Sequence, residues 1–261
     1  MYSSSPVSTC FFLIPILAMV ATQLVFIRTV SSLNMTNAYL NHKCLAKQGR
    51  YKPGSWYEKQ LQTIIVSIGS GDGFTHGYDM MGLGDDSDYV SVTNQCRGDS
   101  YGPKCRSCFA TAIAGLRRRC PRYKGAIIWY DQCTVEISSF DPQGKFDKDN
   151  DFCMSNAKKM NVDSFGEKWM TFLDNLVGIA LKDYLYAAGD TRFGTKKLYG
   201  MVQCRTDISN NSCRKCVGHL AVKFQDCWHG KQGARVMGSG CNFRYELYPF
   251  VSSAKPRPSL K

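Results

Sequence analysis

The stretch Gln95–Cys108, with the sequence QCRGDSYGPKCRSC, decides the fold because it recurs as Gln203–Cys216, QCRTDISNNSCRKC. Both copies space three cysteines as Cys-x8-Cys-x2-Cys. The other cysteines after Cys10 repeat in the same order, and subtracting the first six positions from the next six gives offsets of 109, 108, 108, 108, 107 and 108. Solenoid repeats are only about 20 to 50 residues long. The spacing therefore predicts two copies of one globular domain.

Helix signals recur in the same register. Ser55 to Glu58 and Ser164 to Glu167 both have the Ser-x-x-Glu spacing of a capping box, in which the two side chains satisfy backbone N–H groups at a helix start. Apolar residues at helical spacing follow each box, which predicts an amphipathic helix against a core. A second helix in each half is expected to begin inside the cysteine motif, with Pro103 available for the first turn.

Strand-like segments surround these helices in both halves. The longer ones are 89–95, 126–137, 197–203 and 234–248, and shorter candidates lie at 77–81 and 184–187. This order predicts an α+β fold, with two helices on one face of an antiparallel sheet in each half. Turn-forming residues at 141–144 precede a charged run at 145–149. We therefore place domains at 33–140 and 150–250, a linker at 141–149 and a tail at 251–261.

The N-terminus indicates the compartment. Phe11–Ile27 is an apolar run, and the first charged side chain of the chain is Arg28. Small residues before position 33 fit a secretory signal peptide, 1–32, that is cleaved after Ser32; the alternative is an uncleaved anchoring helix. Cleavage leaves 229 residues without a membrane span, removes Cys10, and lowers the formal net charge from +12 to +11. Asn34 and Asn210 begin glycosylation sequons in such a secreted chain.

Three explanations compete for the twelve remaining cysteines. Zinc sites need sets of four thiolates, which six cysteines per half do not provide. A thioredoxin-like centre has one isolated Cys-x-x-Cys rather than two embedded among ten other cysteines. Three structural disulfides per domain suit an oxidising compartment best. Six cysteines allow 15 pairings, so spacing alone does not select the partners.

The residues resemble a known plant family. The segments that carry the resemblance are Gln95–Asp99, Cys105–Cys108, Gly233–Val236 and Tyr245–Tyr248. They resemble the ginkbilobin-like, or stress-antifungal, domain, and two such domains behind a signal peptide resemble a plant cysteine-rich repeat secretory protein. The resemblance implies a five-stranded antiparallel β-sheet with two helices in each domain. It also implies the pairs Cys44–Cys120, Cys96–Cys105, Cys108–Cys133, Cys153–Cys227, Cys204–Cys213 and Cys216–Cys241.

The resemblance also suggests a sugar site. The founding ginkbilobin protein binds mannose through an Asn, an Arg and a Glu. The matching residues of the second domain are Met154, Arg235 and Glu246, whereas those of the first are Leu45, Ile127 and Ser138. We therefore consider Arg235 and Glu246 the candidate binding residues of an incomplete mannose-type site. The alternative is that they form a cross-strand ion pair on an exposed sheet.

The sequence favours a secreted, non-enzymatic binding protein of the plant cell exterior, the apoplast. Its excess of positive charge suits anionic wall polymers or microbial glycans. The alternative is a structural or signalling partner of a receptor ectodomain without sugar binding, and a thiol oxidoreductase comes third. The four histidines lack spaced partners, and Asp85–Asp88 lacks the pattern of a calcium-binding EF-hand loop. We expect no metal, cofactor or nucleic acid.

Overall fold

The computed structural model describes residues 37–160 and 165–251 of the 261-residue chain. The predicted signal peptide at 1–32, the sequon at Asn34, Ser164 of the second capping box and the tail from residue 252 lie outside the described residues. Statements about the fold and its contacts refer to the two described ranges.

The first domain begins with a strand, and each of its two long helices is followed by a pair of strands. Its helices are α1 Trp56–Ser70, α2 Gly73–His76 and α3 Pro103–Arg119, and its strands are β1 Tyr39–Cys44, β2 Tyr78–Leu83, β3 Val90–Cys96, β4 Ala126–Tyr130 and β5 Cys133–Ser138. Short 3-10 helices occupy Ala46–Gln48 and Asp86–Asp88.

The second domain repeats this order. Its helices are α4 Phe165–Ala180, α5 Asn210–Lys223 and α6 Gln225–Trp228, and its strands are β6 Phe152–Ser155, β7 Tyr186–Phe193, β8 Lys196–Cys204, β9 Gly233–Met237 and β10 Cys241–Glu246. The extra short helices α2 and α6 were not predicted.

The strands form two antiparallel sheets of five, in the order β1-β4-β5-β3-β2 and β6-β9-β10-β8-β7. The predicted α+β class with two five-stranded sheets is confirmed. The long β-rich runs 126–137 and 234–248 each correspond to two strands, because turns at Asp131–Gln132 and at Gly238–Gly240 reverse the chain. In the described part of the chain, no helix has the length and apolar character needed to cross a bilayer.

The first helix shows how sequence signals set local structure. The Ser55 hydroxyl accepts a hydrogen bond from the Glu58 backbone N–H, so helix α1 begins at Trp56. The Glu58 carboxylate reaches back to the backbone N–H of Gly54 at 2.7 Å, one residue before the cap. The side chains that this helix buries, Tyr57, Leu61, Ile64 and Ile68, follow the predicted apolar spacing. Pro103 is the first residue of helix α3.

Three disulfides hold each domain together. Cys44–Cys120, Cys96–Cys105 and Cys108–Cys133 lie in the first, and Cys153–Cys227, Cys204–Cys213 and Cys216–Cys241 lie in the second. These are the pairs that the family resemblance implies. No bond crosses between the domains among the described cysteines.

Each sheet has one face covered by helices and one face turned toward the other domain. On strand β4, Ile128 packs into the helix-covered core, whereas Ile127 and Trp129 form a separate buried cluster with Met237 of the second domain. The indole N–H of Trp129 donates to the carbonyl of Gly238 at 3.2 Å. The helix-free faces therefore pack against each other, and Trp129 is fully buried between them.

Reciprocal hydrogen bonds extend this interface. The side-chain oxygen of Gln95 accepts from the backbone N–H of Thr206 at 2.9 Å. The side-chain oxygen of Gln203 accepts from the backbone N–H of Gly98 at 3.2 Å. Gln95 and Gln203 are repeat counterparts, as are Gly98 and Thr206. The two domains therefore meet with approximate two-fold symmetry, through the Gln-Cys-Arg motif that begins each repeat.

We predict that Trp129→Ala lowers the free energy of unfolding by about 3 to 5 kcal/mol, because it leaves a large cavity between the sheets. Trp56→Ala is the matched control, since the Trp56 side chain is 62% exposed. Urea denaturation followed by far-ultraviolet circular dichroism measures both variants. Equal losses from the two substitutions would contradict a buried role for Trp129.

Candidate functional site

The predicted binding residues lie on two neighbouring strands of the second sheet. Arg235 is on β9, and Glu246 is on β10. Strand pairing sets Arg235 opposite Arg244 and Glu246 opposite Gly233. All of these positions fall on the helix-free face, because their neighbours Ala234, Val236, Phe243 and Tyr245 point into the helix-covered core. The candidate site residues are therefore directed at the first domain.

Asp131 of the first domain gathers three arginines at this point. Its carboxylate accepts from Arg97 at 3.0 Å and from Arg244 at 3.4 Å, and it also pairs with Arg235. Burial by itself would raise the pKa of Asp131, but the positive charges of Arg97, Arg235 and Arg244 outweigh it and lower that pKa. Asp131 is thus ionised at neutral pH and neutralises part of a cationic cluster that spans both domains.

Glu246 has a different partner. Its carboxylate accepts from Arg244 at 3.0 Å and is buried. The alternative expectation of an exposed cross-strand pair between Arg235 and Glu246 is wrong. The strand register sets Arg244 directly opposite Arg235. Arg244 forms the salt bridge with Glu246, and Arg235 forms one with Asp131.

The space beside Arg235 is small. A cavity of about 30 Å³ lies between the sheets, lined by Arg97, Asp131, Arg235 and Arg244 among others. Small-molecule sites have volumes of about 300 to 1,000 Å³. Met154, which replaces the Asn of the mannose trio, lies opposite Arg235 on the edge strand β6, and its thioether is a poor hydrogen-bonding group for a sugar hydroxyl. The mannose-type site remains a prediction, and of its two polar residues Arg235 pairs across the domain interface while Glu246 pairs with Arg244 of its own domain.

Sequence reasoning missed Asp131, Arg244 and the two arginines of the repeated motif. Arg97 follows Cys96 and pairs with Asp99 at 2.5 Å, and Arg205 follows Cys204 and pairs with Asp207 at 2.6 Å. The signal for these pairs was the shared Cys-Arg-x-Asp pattern in both copies. No comparable pattern marks Asp131, because its repeat counterpart is Ser239.

Comparisons with known proteins decide the family. The family model described as salt stress response/antifungal matches residues 43–139 and again residues 152–248. The chain belongs to this family. Cysteine-rich repeat secretory proteins 16 and 17 of Arabidopsis thaliana are 85% and 58% identical to it, over 98% and 99% of the chain and 98% of each relative.

Solved structures show the same fold. The tandem DUF26 ectodomain of the Arabidopsis thaliana cysteine-rich receptor-like protein PDLP8 is 21% identical, with a TM-score of 0.68, covering 81% of this chain and 99% of that one. The corresponding ectodomain of PDLP5 is 20% identical, with a TM-score of 0.66. The names of these relatives describe secretory proteins and ectodomains rather than enzymes.

Outside the interface between the two domains, the first domain carries a group of basic residues that we call the basic edge. It lies at the end of helix α3 and in the following loop, and we define it as Arg50, Arg117, Arg118, Arg119, Arg122 and Lys124. Arg50 stacks over the Tyr123 ring at 4.2 Å, which joins the two chain segments. Within residues 37–160 and 165–251, none of the six forms a salt bridge, and Glu58, the carboxylate beside Arg117 and Arg122, accepts from the backbone N–H of Gly54 instead.

The clustered histidine and sulfur atoms give no metal site. His42, Cys44 and Cys120 lie within 4.8 Å of one another, but the two cysteines are bonded to each other. A disulfide provides no thiolate ligand. Asn210 is exposed as the first residue of helix α5, and its glycosylation remains a prediction.

We predict that Asp131→Asn lowers the free energy of unfolding by about 3 kcal/mol, because it leaves three guanidinium groups without their shared counter-charge. Asp190→Asn is the control, since Asp190 pairs with Lys197 at an exposed site, and such pairs contribute little. Urea denaturation at neutral pH compares the variants. Similar stability of both would show that the three arginines do not depend on Asp131.

We predict that the free energy of unfolding depends on pH because of Glu136. Its buried carboxyl lies 3.6 Å from Arg205 of the second domain. Burial raises the pKa of Glu136 to about 7 from 4.5, although Arg205 partly opposes this. Between pH 4.5 and about pH 7, the Glu136 carboxyl is protonated in the folded protein but ionised in the unfolded chain. The corresponding stability is fully present below about pH 4.5 and is lost as the pH rises to about 7, a change of up to about 3 kcal/mol.

The measurement is urea denaturation at pH 5 and pH 7.5. The unsubstituted protein should be less stable at pH 7.5, and Glu136→Gln should remove most of that difference. Arg205 keeps Asp207 and the carbonyls of Pro142 and Lys145 as partners, so the variant should fold. An unchanged pH dependence in Glu136→Gln would assign the effect to other groups.

Proposed function

We propose that this chain is a secreted, non-enzymatic binding protein of the cell exterior that attaches to anionic polysaccharide through the basic edge. The proposal rests on one observation. The end of the first domain carries six cationic side chains, and none of them forms a salt bridge among the described residues. The family membership supports secretion, because its relatives are named secretory proteins.

The C-terminal end of helix α3 concentrates positive charge, with Arg117 directed at Gln62 and Arg119 lying over the Tyr39 ring. Arg117, Arg118 and Arg119 form the last turn of helix α3, where cations also interact favourably with the negative end of the helix dipole. The β-bridge between Arg50 and Tyr123 brings a second chain segment to the same end, next to Lys124. A linear polyanion with regularly spaced carboxylates suits such an edge, because guanidinium groups form charge-assisted, bidentate hydrogen bonds to carboxylates.

The overall charge distribution favours association with such a polymer. The formal net charge, +12 for the full chain and +11 after the predicted cleavage, concentrates negative polymers around the protein. At physiological ionic strength, interactions between exposed charges are screened beyond about 8 Å. Binding through this edge should therefore weaken steeply as salt is added.

The test is binding of the secreted protein to polygalacturonate, with fully methyl-esterified polygalacturonan as the uncharged match. We predict that Arg118→Gln/Arg119→Gln weakens binding to polygalacturonate about tenfold or more, since each cation near an anionic surface contributes about 1 kcal/mol. The control is Lys158→Gln/Lys159→Gln, which removes the same charge from exposed positions of the second domain.

Three results would contradict the proposal: equal binding to the esterified polymer, no effect of added salt, or equal losses in the two double variants. The separate prediction of a mannose-type site is tested by measuring mannan binding of the Arg235→Ala variant. That prediction requires the substitution to abolish mannan binding. Failure to bind either polymer, together with capture of a receptor ectodomain, would favour the alternative role as a receptor partner.

A further inference from the structure

A cleft opens between helices α1 and α3 of the first domain. Its volume is about 400 Å³, which lies within the range of small-molecule sites. Its floor is apolar, with Leu61 and Ile65 from α1, Leu116 from α3 and Ile137 from β5. Because the helices cover the opposite face of the sheet from the domain interface, the cleft is separate from the cluster around Asp131.

The second domain fills the corresponding space with aromatic rings. Ile137 faces Ala126 across the strands, and its counterpart Tyr245 faces Ala234 in the same register. Pro121 follows Cys120, whereas Trp228 follows Cys227 and is buried in the core. The hydroxyl of Tyr245 donates to the backbone carbonyl of Trp228, which ties the Tyr245 side chain to the end of helix α6. Two smaller side chains in the first domain therefore leave the cleft open.

The rim of the cleft is polar and carries net positive charge. Arg117 donates to the side-chain oxygen of Gln62, and Arg122 is exposed and makes no ion pair among the described residues. The one rim carboxylate, Glu58, is held by the backbone N–H of Gly54. Burial and Glu58 raise the pKa of Tyr51, whereas Arg117 and Arg122 lower it. Both guanidinium charges thus act at the mouth of the cleft.

Arg122 occupies an unusual backbone position. Its φ is +63°, in the left-handed region, and the equivalent turn of the second domain has Gly230 at +66°. The carbonyls of these two residues accept equivalent hydrogen bonds, from Tyr51 and Met160. Left-handed backbone is unfavourable for a residue with a Cβ atom, and the exposed Arg122 side chain gains no core packing in return. Retained strain of this kind is found at functional sites.

We propose that this cleft binds a small amphipathic acid, a molecule with a flat apolar body and one carboxylate or similar anionic group. The apolar body would lie on the floor between Leu61, Ile65 and Leu116. The anion would meet Arg117 and Arg122, and the Tyr51 hydroxyl would donate a hydrogen bond to it. The cleft shares Arg117 and Arg122 with the basic edge, but polymer attachment does not require its apolar floor, and Arg118 and Arg119 do not line it.

The experiment is isothermal titration of the secreted protein with two probes of matched shape. 1-Naphthoate carries the anionic group, and 1-naphthalenemethanol is its neutral counterpart. We predict saturable binding of one naphthoate per chain, at least tenfold tighter than binding of the alcohol. Absence of saturable naphthoate binding, or equal affinity for the two probes, would overturn the proposal.

Substitutions taken from the second domain localise the site. Arg122→Gly should weaken naphthoate binding at least tenfold and leave alcohol binding unchanged. The same variant should keep or raise the melting temperature, because glycine suits the left-handed turn. Pro121→Trp at this exposed position should fill the cleft and abolish binding of both probes. Unchanged naphthoate affinity in a folded Arg122→Gly protein would overturn the assignment.

The matched charge control is Arg118→Gln, which removes a neighbouring charge that does not line the cleft. It should leave naphthoate affinity unchanged, and an equal loss in this variant and in Arg122→Gly would overturn the proposal in favour of general electrostatics. The double variant Arg118→Gln/Arg119→Gln separates the two proposals, because it should weaken binding of polygalacturonate and leave binding of naphthoate unchanged.

Discussion

The packing of two helix-free sheet faces against each other is the constraint on which the rest of the structure depends. These faces carry Gln95, Gln203 and Glu136, with Asp131 in the turn beside them, and the polar groups of all four lose most of their contact with water when the domains meet. An unpaired polar group in such a place costs free energy, and an unpaired charge costs more. The reciprocal glutamine bonds and the arginines around Asp131 supply the partners, and they fix how the two repeats are oriented.

This constraint also changes the role of the predicted sugar-binding residues. Arg235 and Glu246 match two of three positions in a resembling domain, but in this tandem Arg235 pairs with Asp131 of the other repeat and Glu246 pairs with the neighbouring Arg244. The two surfaces proposed for binding lie elsewhere, on the helix side and at the end of the first domain. There the two copies have diverged most clearly, with Pro121 and Ile137 in one and Trp228 and Tyr245 in the other.

The sequence predicted the four longer helices, an antiparallel sheet in each half and the duplication, because capping residues, apolar spacing and cysteine offsets are local or periodic signals, whereas the count of five strands came from the family resemblance. The interface was not predictable by the same reasoning. Alternation along β3 and β5 places Thr93, Gln95 and Glu136 on the side that normally faces solvent, and a polar pattern does not distinguish water from a polar partner domain. The cleft was missed for a related reason, since it results from side-chain volumes on three separate segments.

The central claim is that the two repeats form one cooperative unit, and differential scanning calorimetry of the secreted protein tests it most directly. The account predicts a single transition whose calorimetric and van't Hoff enthalpies agree. Two separable transitions, or a calorimetric enthalpy near twice the van't Hoff value, would show that the domains unfold independently and would contradict it.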